Sequence, residues 1–258
     1  MKDYGLVSII TPSYNCAEFI KETIESIISQ SYTNWELLIT DDCSTDNSCD
    51  VIGNYVRKDP RIKLIRLQSN SGAGVARNTS IEEAKGRFIA FCDSDDRWFP
   101  DKLEKQLAFM EAKNCKMSHT SYLTCDEADK ITGIVVCRKR ETLESMCKDD
   151  KMGFLTVMYD TNGIGKVYMP KLRKRQDWAL KLKVLEKCGH ACGMKEPLAY
   201  YRKRVGSISN NKRSLVKYNI AVYQEVLGWS KWKSNLYFYF RFMPTHITKL
   251  IFLRYLNK

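Results

Sequence analysis

The sequence of 258 residues lacks three features that would assign it to a common class. No apolar run approaches the roughly 18 to 20 residues that span a bilayer, and the apolar run at residues 6–10 is too short for the core of a signal peptide. The first predicted strand is followed by TPSYN instead of a glycine-rich dinucleotide fingerprint, and no glycine-lysine phosphate loop occurs. These absences argue against an integral membrane protein, a dehydrogenase and a P-loop enzyme, and they predict a cytoplasmic location.

A disulfide framework is also missing, although there are ten cysteines. They lie singly inside apolar runs, which is typical of reduced thiols in a cytosolic protein. The sequence Cys188-Gly189-His190-Ala191-Cys192 could suggest zinc, but a site of this kind needs four ligands and no fourth partner follows. A packed turn is the better interpretation of this segment.

Acidic residues are scarce in the last quarter of the chain. Residues 197–258 contain twelve Lys or Arg and a single acid, Glu225, so almost all of the formal charge of +12 lies there. A basic tail on a nearly neutral body predicts an anionic partner, either a membrane surface or nucleic acid.

What the sequence does contain is an alternation of short β-rich runs and amphipathic helical segments. The predicted strands are residues 6–10, 35–40, 62–67, 88–92 and 117–123; the predicted helices are residues 19–28, 50–58, 75–84 and 101–113. This alternation predicts an α/β fold with a mainly parallel, Rossmann-like sheet flanked by helices. Residues 126–174 show only a weak pattern.

Each of the first four predicted strands ends in a polar cluster. The clusters are residues 11–15 (TPSYN), 41–44 (DDCS), 70–74 (NSGAG) and 93–96 (DSDD). Because the carboxyl ends of parallel strands share one edge of an open sheet, and ligands bind there, we expect the four clusters to form one site.

The carboxylates of these clusters could hold a divalent cation, which would neutralise the phosphates of a bound nucleotide. In extended backbone, Asp93 and Asp95 project to the same side while Ser94 turns away, so both carboxylates can reach one Mn²⁺ or Mg²⁺ ion. The alternative is a turn followed by an Asp cap for the helix after Pro100. The pair Asp41-Asp42 offers an acceptor for the N–H of a base, or else an Asx turn.

Five motifs, TPSYN, ELLITDDCSTD, NSGAGVARN, FCDSDDRWFPDKL and RKRQDW, follow one another between residues 7 and 209. Their order and spacing resemble glycosyltransferase family 2, in particular its members from bacterial polysaccharide assembly, with the GT-A type fold. The resemblance implies that Asp42 binds the base, that Asp93 contacts the ribose or donor sugar, and that Asp95 ligates the metal. It further implies that Asp177 is the general base of an inverting transfer.

Several positions qualify this resemblance. Cys43 stands where the family usually has glycine or asparagine, so a positive φ at this position would carry some strain. Asp177 precedes Trp178-Ala179-Leu180 and would also serve as a helix N-cap; a raised pKa there would have to come from burial. The segment around Arg202 and Arg204, followed by residues 206–209, resembles the family's mobile segment over the donor diphosphate.

These expectations give a complete candidate site. The carboxylates Asp93 and Asp95 form the candidate metal site, and Asp177 is the candidate catalytic base. Tyr14 is placed against the nucleoside, although packing is an alternative, and Arg77 against phosphate or an aspartate, although a solvated helix charge is an alternative. The candidate donor-binding residues are Pro12, Tyr14, Asp42, Arg77, Asp93, Ser94, Asp95, Arg202 and Arg204.

By the same resemblance, residues 1–115 form the nucleotide-sugar-binding half, residues 116–209 the acceptor-binding half of the same domain, and residues 210–258 a basic helical extension. The donor is expected to be a UDP-sugar and the acceptor a glycan hydroxyl, linked to polyprenyl diphosphate. The rival functions are a nucleotidyltransferase of related architecture, which should carry a glycine-rich loop with Arg after the first strand, and a non-catalytic basic membrane-surface protein.

The extension itself is aromatic as well as basic. From Trp229 to Lys258 it carries nine aromatic residues, six Lys or Arg and no acid. Helical spacing on both sides of Pro244 gives one apolar side: Trp229, Trp232, Leu236, Phe240, Met243, Ile247, Leu250 and Ile251. This composition favours a helix lying on the anionic inner face of the plasma membrane. The alternative is helices that pack on the sheet or on a second chain in an oligomer; nucleic acid is not expected, because no binding motif for it appears.

Overall fold

The computed structural model describes residues 2–204, 215–245 and 247–248. Its strands are β1 (Val7–Ser13), β2 (Trp35–Asp41), β3 (Ile62–Arg66), β4 (Phe88–Phe91), β5 (Arg97–Trp98), β6 (Met117–Cys125), β7 (Ile131–Val135), β8 (Arg140–Thr142), β9 (Met158–Asp160) and β10 (His190–Arg202). They form one sheet in the order β3-β2-β1-β4-β9-β6-β10-β5, with β7 beside β6 and β8 beside β10.

The helices lie on both faces of this sheet. They are α1 (Ile20–Ile28), α2 (Ser48–Val56), α3 (Ala73–Glu83), α4 (Lys102–Ala112), α5 (Leu143–Lys148), α6 (Gln176–Cys188), α7 (Leu215–Leu227) and α8 (Lys231–Tyr237), with a 3-10 turn at Phe154–Thr156 and a π-helical turn at Phe238–Phe242. The five predicted strands and four predicted helices of the first 125 residues are confirmed, with ends that differ by at most three residues.

The first four sheet positions are all parallel, as predicted. Strand β1 pairs with β2 on one side and with β4 on the other, and β2 pairs with β3. Beyond β4 the sheet becomes mixed, because β9 runs antiparallel to both β4 and β6, while β6 and β10 are parallel to each other. The weakly patterned residues 126–174 thus supply three short strands that widen the sheet.

Two separate apolar cores cover the two faces of the sheet. One face packs against α1, α2 and α4 through side chains such as Ile24 and Leu107. The other packs against α3, α5, α6 and α7, with Trp178 and Tyr223 at its centre. The apolar spacing along α1 explains its place, since its buried residues Ile20, Thr23, Ile24 and Ile27 form a single stripe.

The carboxyl-terminal extension packs on the second of these cores. Phe238 and Phe242 are buried against α6, where Phe242 lies 5.5 Å from the Trp178 ring. The side predicted to be apolar is divided: Trp229 and Met243 pack against the core, whereas Trp232 and Phe240 are 74% and 72% exposed. One side of the extension therefore packs on the protein through Phe238 and Phe242, while the side with Trp232 and Phe240 is left exposed. The predicted continuation at residues 250–251, like the segment 206–209, lies outside the described residues.

In the described part of the chain, no helix is long and apolar enough to cross a membrane. All ten cysteines are free. The segment from Cys188 to Cys192 forms the end of α6, a turn at Gly189 with φ of +79°, and the start of β10, with the Cys188 thiol 3.4 Å from the His190 carbonyl.

Candidate functional site

Three polar clusters meet where the parallel strands β1, β2 and β4 end. Pro12 is buried in β1 opposite Thr40, whereas Tyr14, two residues later, is 49% exposed at the edge. The register of β1 and β2 sets Ser13 beside Asp41, and the Ser13 hydroxyl donates to the Asp41 carboxylate at 3.0 Å. The edge is thus built by the strand pairing, and Tyr14 projects from it.

The two aspartates after β2 have different tasks. Asp41 closes the turn, because it accepts hydrogen bonds from the Ser44 amide at 2.9 Å and the Ser44 hydroxyl at 2.6 Å. Asp42 is 3% exposed and reaches to the next cluster, where it accepts the amides of Ser71 at 2.6 Å and Gly72 at 2.8 Å. A carboxylate has about four acceptor positions, so Asp42 retains capacity for one more donor.

The backbone between Asp42 and Ser44 is left-handed at Cys43, with φ of +65°. This is the conformation that the family's usual glycine or asparagine favours, so the expected strain at Cys43 is present. The turn nevertheless forms, because Asp41 and Ser44 hold it from both ends.

The Asp93-Ser94-Asp95 segment differs from the expected extended conformation. The Asp96 amide donates to the Asp93 carbonyl at 3.0 Å, so Ser94 and Asp95 occupy a turn. The expectation that alternation along a strand brings Asp93 and Asp95 together is therefore wrong; the turn brings them together. The side chain of Asp101, at the N-cap of α4, makes no capping hydrogen bond, so that part of the alternative is also wrong.

The charge of Asp93 perturbs the neighbouring Asp95 carboxylate. Burial and the Asp93 charge raise the pKa of Asp95, against an opposing effect from Arg204. The Arg204 guanidinium lies 3.4 Å from Asp95, and Arg77 forms an ion pair with Asp93 at 2.5 Å. Crowded carboxylates of this kind fit a divalent cation, which prefers oxygen ligands and removes the repulsion. Among the described residues, no group of three or more His, Cys, Asp or Glu side chains is arranged to hold a metal ion, so Asp93 and Asp95 stay a candidate pair.

The two arginines at the end of β10 are placed differently. Arg202 is buried and its guanidinium pairs with Glu22 and, at 3.1 Å, with Asp129, while its backbone amide donates to Asp96 at 3.1 Å. Its charge is thus satisfied within the protein. Arg204 is the one that lies beside Asp95.

Asp177 lies in the first turn of α6, as its second residue. The interpretation of Asp177 as the N-cap is wrong, because Arg175 occupies that position in left-handed backbone with φ of +66° and no side chain caps the helix. Burial tends to raise the pKa of Asp177, but the charges of Lys181, Arg175 and Arg77 outweigh it and hold this pKa below its ordinary value. The carboxylate is thus ionised at neutral pH, with its side chain 37% exposed.

An aromatic ring connects the aspartate cluster with Asp177. The guanidinium of Arg77 lies 5.1 Å from the centre of the Phe154 ring, and the Lys181 ammonium lies 5.9 Å from the same centre. Since Arg77 binds Asp93 and Lys181 lies 3.7 Å from Asp177, a chain of contacts joins the carboxylates Asp93 and Asp95 to the candidate base.

A second connection joins the NSGAG loop to the start of α6. A Cβ atom at Gly74 would lie 2.4 Å from the side-chain amide nitrogen of Gln176, so any larger residue would have to displace that side chain. The start of α3 and the start of α6, which carries Asp177, are therefore in direct contact.

Two charged residues beside Asp177 could not be predicted from the sequence pattern. Lys181 is fully buried, and its ammonium donates to Asp150 at 2.7 Å and to the Met152 carbonyl at 2.8 Å. Asp150 comes from the segment of weak pattern. Only the spacing of four residues between Asp177 and Lys181 along one helix could have suggested their contact.

Comparisons with known proteins find a matching family and several similar chains. The profile of glycosyl transferase family 2 matches residues 8–195. The chain is 44% identical to the putative teichuronic acid biosynthesis glycosyltransferase TuaG of Bacillus subtilis, over 86% of this chain and 88% of that protein. It is 39% identical to the UDP-Glc:alpha-D-GlcNAc-diphosphoundecaprenol beta-1,3-glucosyltransferase WfaP of Escherichia coli, over 80% of this chain and 81% of that one.

Two solved structures share the fold. The S. aureus TarS fragment 1-349 in complex with UDP-GlcNAc superposes with a TM-score of 0.70 at 21% identity, covering 91% of this chain and 73% of that one. The mannosyltransferase PcManGT from Pyrobaculum calidifontis, in complex with GDP-Man and Mn²⁺, gives 0.62 at 15% identity, covering 96% and 74%. At these identities the likeness concerns the fold alone.

Proposed function

The chain belongs to glycosyl transferase family 2, and on that premise we propose that it is a metal-dependent, inverting transferase that moves one sugar from a UDP-sugar to a hydroxyl of a polyprenyl-diphosphate-linked glycan. The acceptor class is supported by the name of the WfaP relative, and the donor class by that name and by the UDP-GlcNAc bound to TarS. The observation that carries the proposal is the continuous path from Asp93 through Arg77, Phe154 and Lys181 to Asp177.

In this proposal, the donor occupies the carboxyl edge of β1, β2 and β4. Asp42 accepts the base N–H, supported by its remaining acceptor capacity, and Tyr14 covers the nucleoside. Asp95, with Asp93, would hold Mn²⁺ or Mg²⁺, which supplies positive charge to the departing diphosphate. Arg77 orients Asp93, Ser94 shapes the turn, and Arg204 contributes a further charge on the phosphates. Arg202 acts by holding the end of β10 in place.

The transfer itself is a single displacement. The acceptor hydroxyl attacks the anomeric carbon, its proton passes to the Asp177 carboxylate, and the bond from that carbon to the diphosphate oxygen breaks, releasing UDP. An ionised carboxylate that is partly open to solvent suits this role, because a general base must be unprotonated and within reach of the acceptor.

Nucleotide binding tests the donor half of the proposal. Thermal unfolding is measured with UDP, GDP and each UDP-sugar, with and without Mn²⁺. We expect metal-dependent stabilisation by UDP that disappears in Asp95→Asn and persists in Glu111→Gln, an exposed carboxylate elsewhere. No stabilisation by any nucleotide would instead favour a non-catalytic protein, and stabilisation by a nucleoside triphosphate alone would favour a nucleotidyltransferase.

The uncovered aromatic side of the extension supports the membrane part of the proposal. Trp232, Leu236, Tyr239 and Phe240 are exposed on the helix whose other side packs on the core, and Lys231, Lys233 and Arg241 lie among them. Exposed aromatic rings flanked by cations, with no acid after Glu225, match the interface of an anionic bilayer. We propose that this side rests on the inner face of the plasma membrane, where a lipid-linked acceptor is presented.

Vesicle sedimentation tests this placement. Full-length protein is expected to sediment with vesicles that contain phosphatidylglycerol and to remain in solution with neutral vesicles. The double variant Trp232→Ser/Phe240→Ser should lose this binding, while the control Ile131→Ser/Ile134→Ser, on an exposed strand, should keep it. Unchanged binding in the Trp232/Phe240 variant would refute the placement, as would a stable dimer of the wild type that this variant converts to a monomer.

A further inference from the structure

A buried lysine lies one helical turn after the candidate base. Lys181 is 1% exposed in the middle of α6, between the apolar residues Leu180 and Leu182. Burial of an ammonium group in such surroundings is costly unless it is paired and fully hydrogen-bonded. Its presence here calls for partners, and Asp150, Met152 and Asp177 supply them.

Those partners hold the ammonium in one place. It donates to the Asp150 carboxylate at 2.7 Å and to the Met152 carbonyl at 2.8 Å. Both acceptors come from the short segment between α5 and the 3-10 turn, so Lys181 fixes that segment to α6. The third neighbour is the Asp177 carboxylate at 3.7 Å, which is close enough for an ion pair but too far for a good hydrogen bond.

The charges around Asp177 come from three elements. Lys181 and Arg175 belong to α6 and its N-cap, Arg77 to α3, and Asp150 to the segment after α5. Of these cations, Lys181 lowers the pKa of Asp177 most. Its position is fixed by the Asp150 carboxylate, whose side chain is 14% exposed. Arg77 is engaged with Asp93.

We propose that Lys181, fixed by Asp150, is a positioning residue that keeps the Asp177 carboxylate ionised and oriented toward the acceptor hydroxyl. This inference rests on the proposed role of Asp177 as the base. Lys181 itself does not contact the substrate; it acts through Asp177, and Asp150 acts through Lys181.

The expected sign follows from the chemistry of a carboxylate. Without the neighbouring cation, burial is less opposed, and the pKa of Asp177 rises from its lowered position. A protonated Asp177 cannot accept a proton, so turnover would fall on the acid side at a higher pH than in the wild type. An opposite charge within 4 to 6 Å shifts a carboxyl pKa by roughly one to three units, which sets the scale of the change.

The test is the pH dependence of kcat between pH 4.0 and 8.5 at saturating donor and acceptor, because the wild-type pKa of Asp177 lies below 3.8 and a rise of one unit must remain visible. The wild type should be nearly flat toward acid, whereas Lys181→Met should lose activity there, with its acid limb roughly one to three units higher. Lys181→Arg retains the charge and should restore the wild-type profile. Asp150→Asn retains the Lys181 charge and should lower kcat without raising the acid limb. The control Lys183→Gln, on the same helix with a carbonyl partner, should leave the profile unchanged.

The outcomes separate this inference from the function on which it rests. If Asp177→Asn retains wild-type turnover, the base assignment fails. If Asp177→Asn is inactive and folded Lys181→Met has the same acid limb as the wild type, the role of Lys181 fails while the base assignment stands. Equal upward shifts in Lys181→Met and Asp150→Asn would also overturn it, because that result would indicate general damage to the site. Circular dichroism and the unfolding midpoint establish that each variant is folded.

Discussion

Replacement of the buried Lys102 by methionine should stabilise the protein in a way that depends on pH. Lys102 is the first residue of α4 and is fully buried; its ammonium donates to the Gln106 side chain at 2.7 Å and lies 4.0 Å from the centre of the Trp98 ring. No carboxylate pairs with it among these contacts. Burial lowers the pKa of Lys102 from 10.5 to about 7.

The magnitude follows from this difference in pKa. At about 1.36 kcal/mol per pKa unit, the protonated lysine costs the folded state ~5 kcal/mol below pH 7. Between pH 7 and 10.5 the unfolded chain binds the proton more tightly, so the cost falls as pH rises and is ~1 kcal/mol at pH 10. Methionine also leaves the Gln106 oxygen without its donor, a loss of ~1 to 3 kcal/mol at every pH. The net change is thus a gain of about 2 to 4 kcal/mol at pH 6.5 and a loss of about 0 to 2 kcal/mol at pH 10.

Urea unfolding followed by tryptophan fluorescence under reducing conditions measures both values. The gain at pH 6.5 corresponds to a rise in Tm of roughly 5 to 15 °C for a chain of this size. Lys113→Met, at an exposed lysine after the same helix, should change stability by less than ~1 kcal/mol. If the difference in the free energy of unfolding between Lys102→Met and the wild type is constant from pH 6.5 to 10, the pKa of Lys102 is not lowered by burial.

Two further substitutions test the local geometry of the site. Cys43→Gly should stabilise the protein by ~0.5 to 1 kcal/mol in urea unfolding with kcat unchanged, because glycine removes the strain of the left-handed backbone; a loss of stability would contradict this. Gly74→Ala should lower kcat about tenfold to a hundredfold, because the added Cβ displaces the Gln176 side chain at the start of α6; the double variant Gly74→Ala/Gln176→Ala should recover most of it, and absence of recovery would refute the steric cause.

The parallel half of the sheet was predictable because each strand there is apolar, is buried on both faces and ends in a polar cluster. Strands β1, β2 and β4 are entirely buried, which produces continuous apolar runs in the sequence. The short strand β9, by contrast, gave no such signal. Its three residues gain their structure from β4 and β6 on either side, so tertiary pairing determines it more than local preference.

The residues of the candidate site could be proposed from the sequence and their roles stay predictions, whereas their geometry could not be foreseen. Asp93 and Asp95 were correctly expected to lie together, yet they do so through a turn closed by the Asp96 amide, which alternation along a strand does not predict. The N-cap of α6 is Arg175, two residues before the predicted Asp177. Arg175 adopts left-handed backbone, which a residue of its type does not favour, so the sequence does not predict it. Lys181 and Asp150 could not be paired from the sequence, since their contact spans thirty-one positions.

In the proposed function, the protein transfers a sugar with inversion and Asp177 takes the acceptor proton. The direct measurement is incubation with Mn²⁺, a panel of UDP-sugars and a synthetic N-acetylglucosamine diphosphate lipid, with the product analysed by mass spectrometry and its anomeric configuration by NMR. We expect a single added sugar in β linkage from an α-linked donor, and at least about a hundredfold less product with Asp177→Asn. An α-linked product, or wild-type turnover in Asp177→Asn, would contradict it.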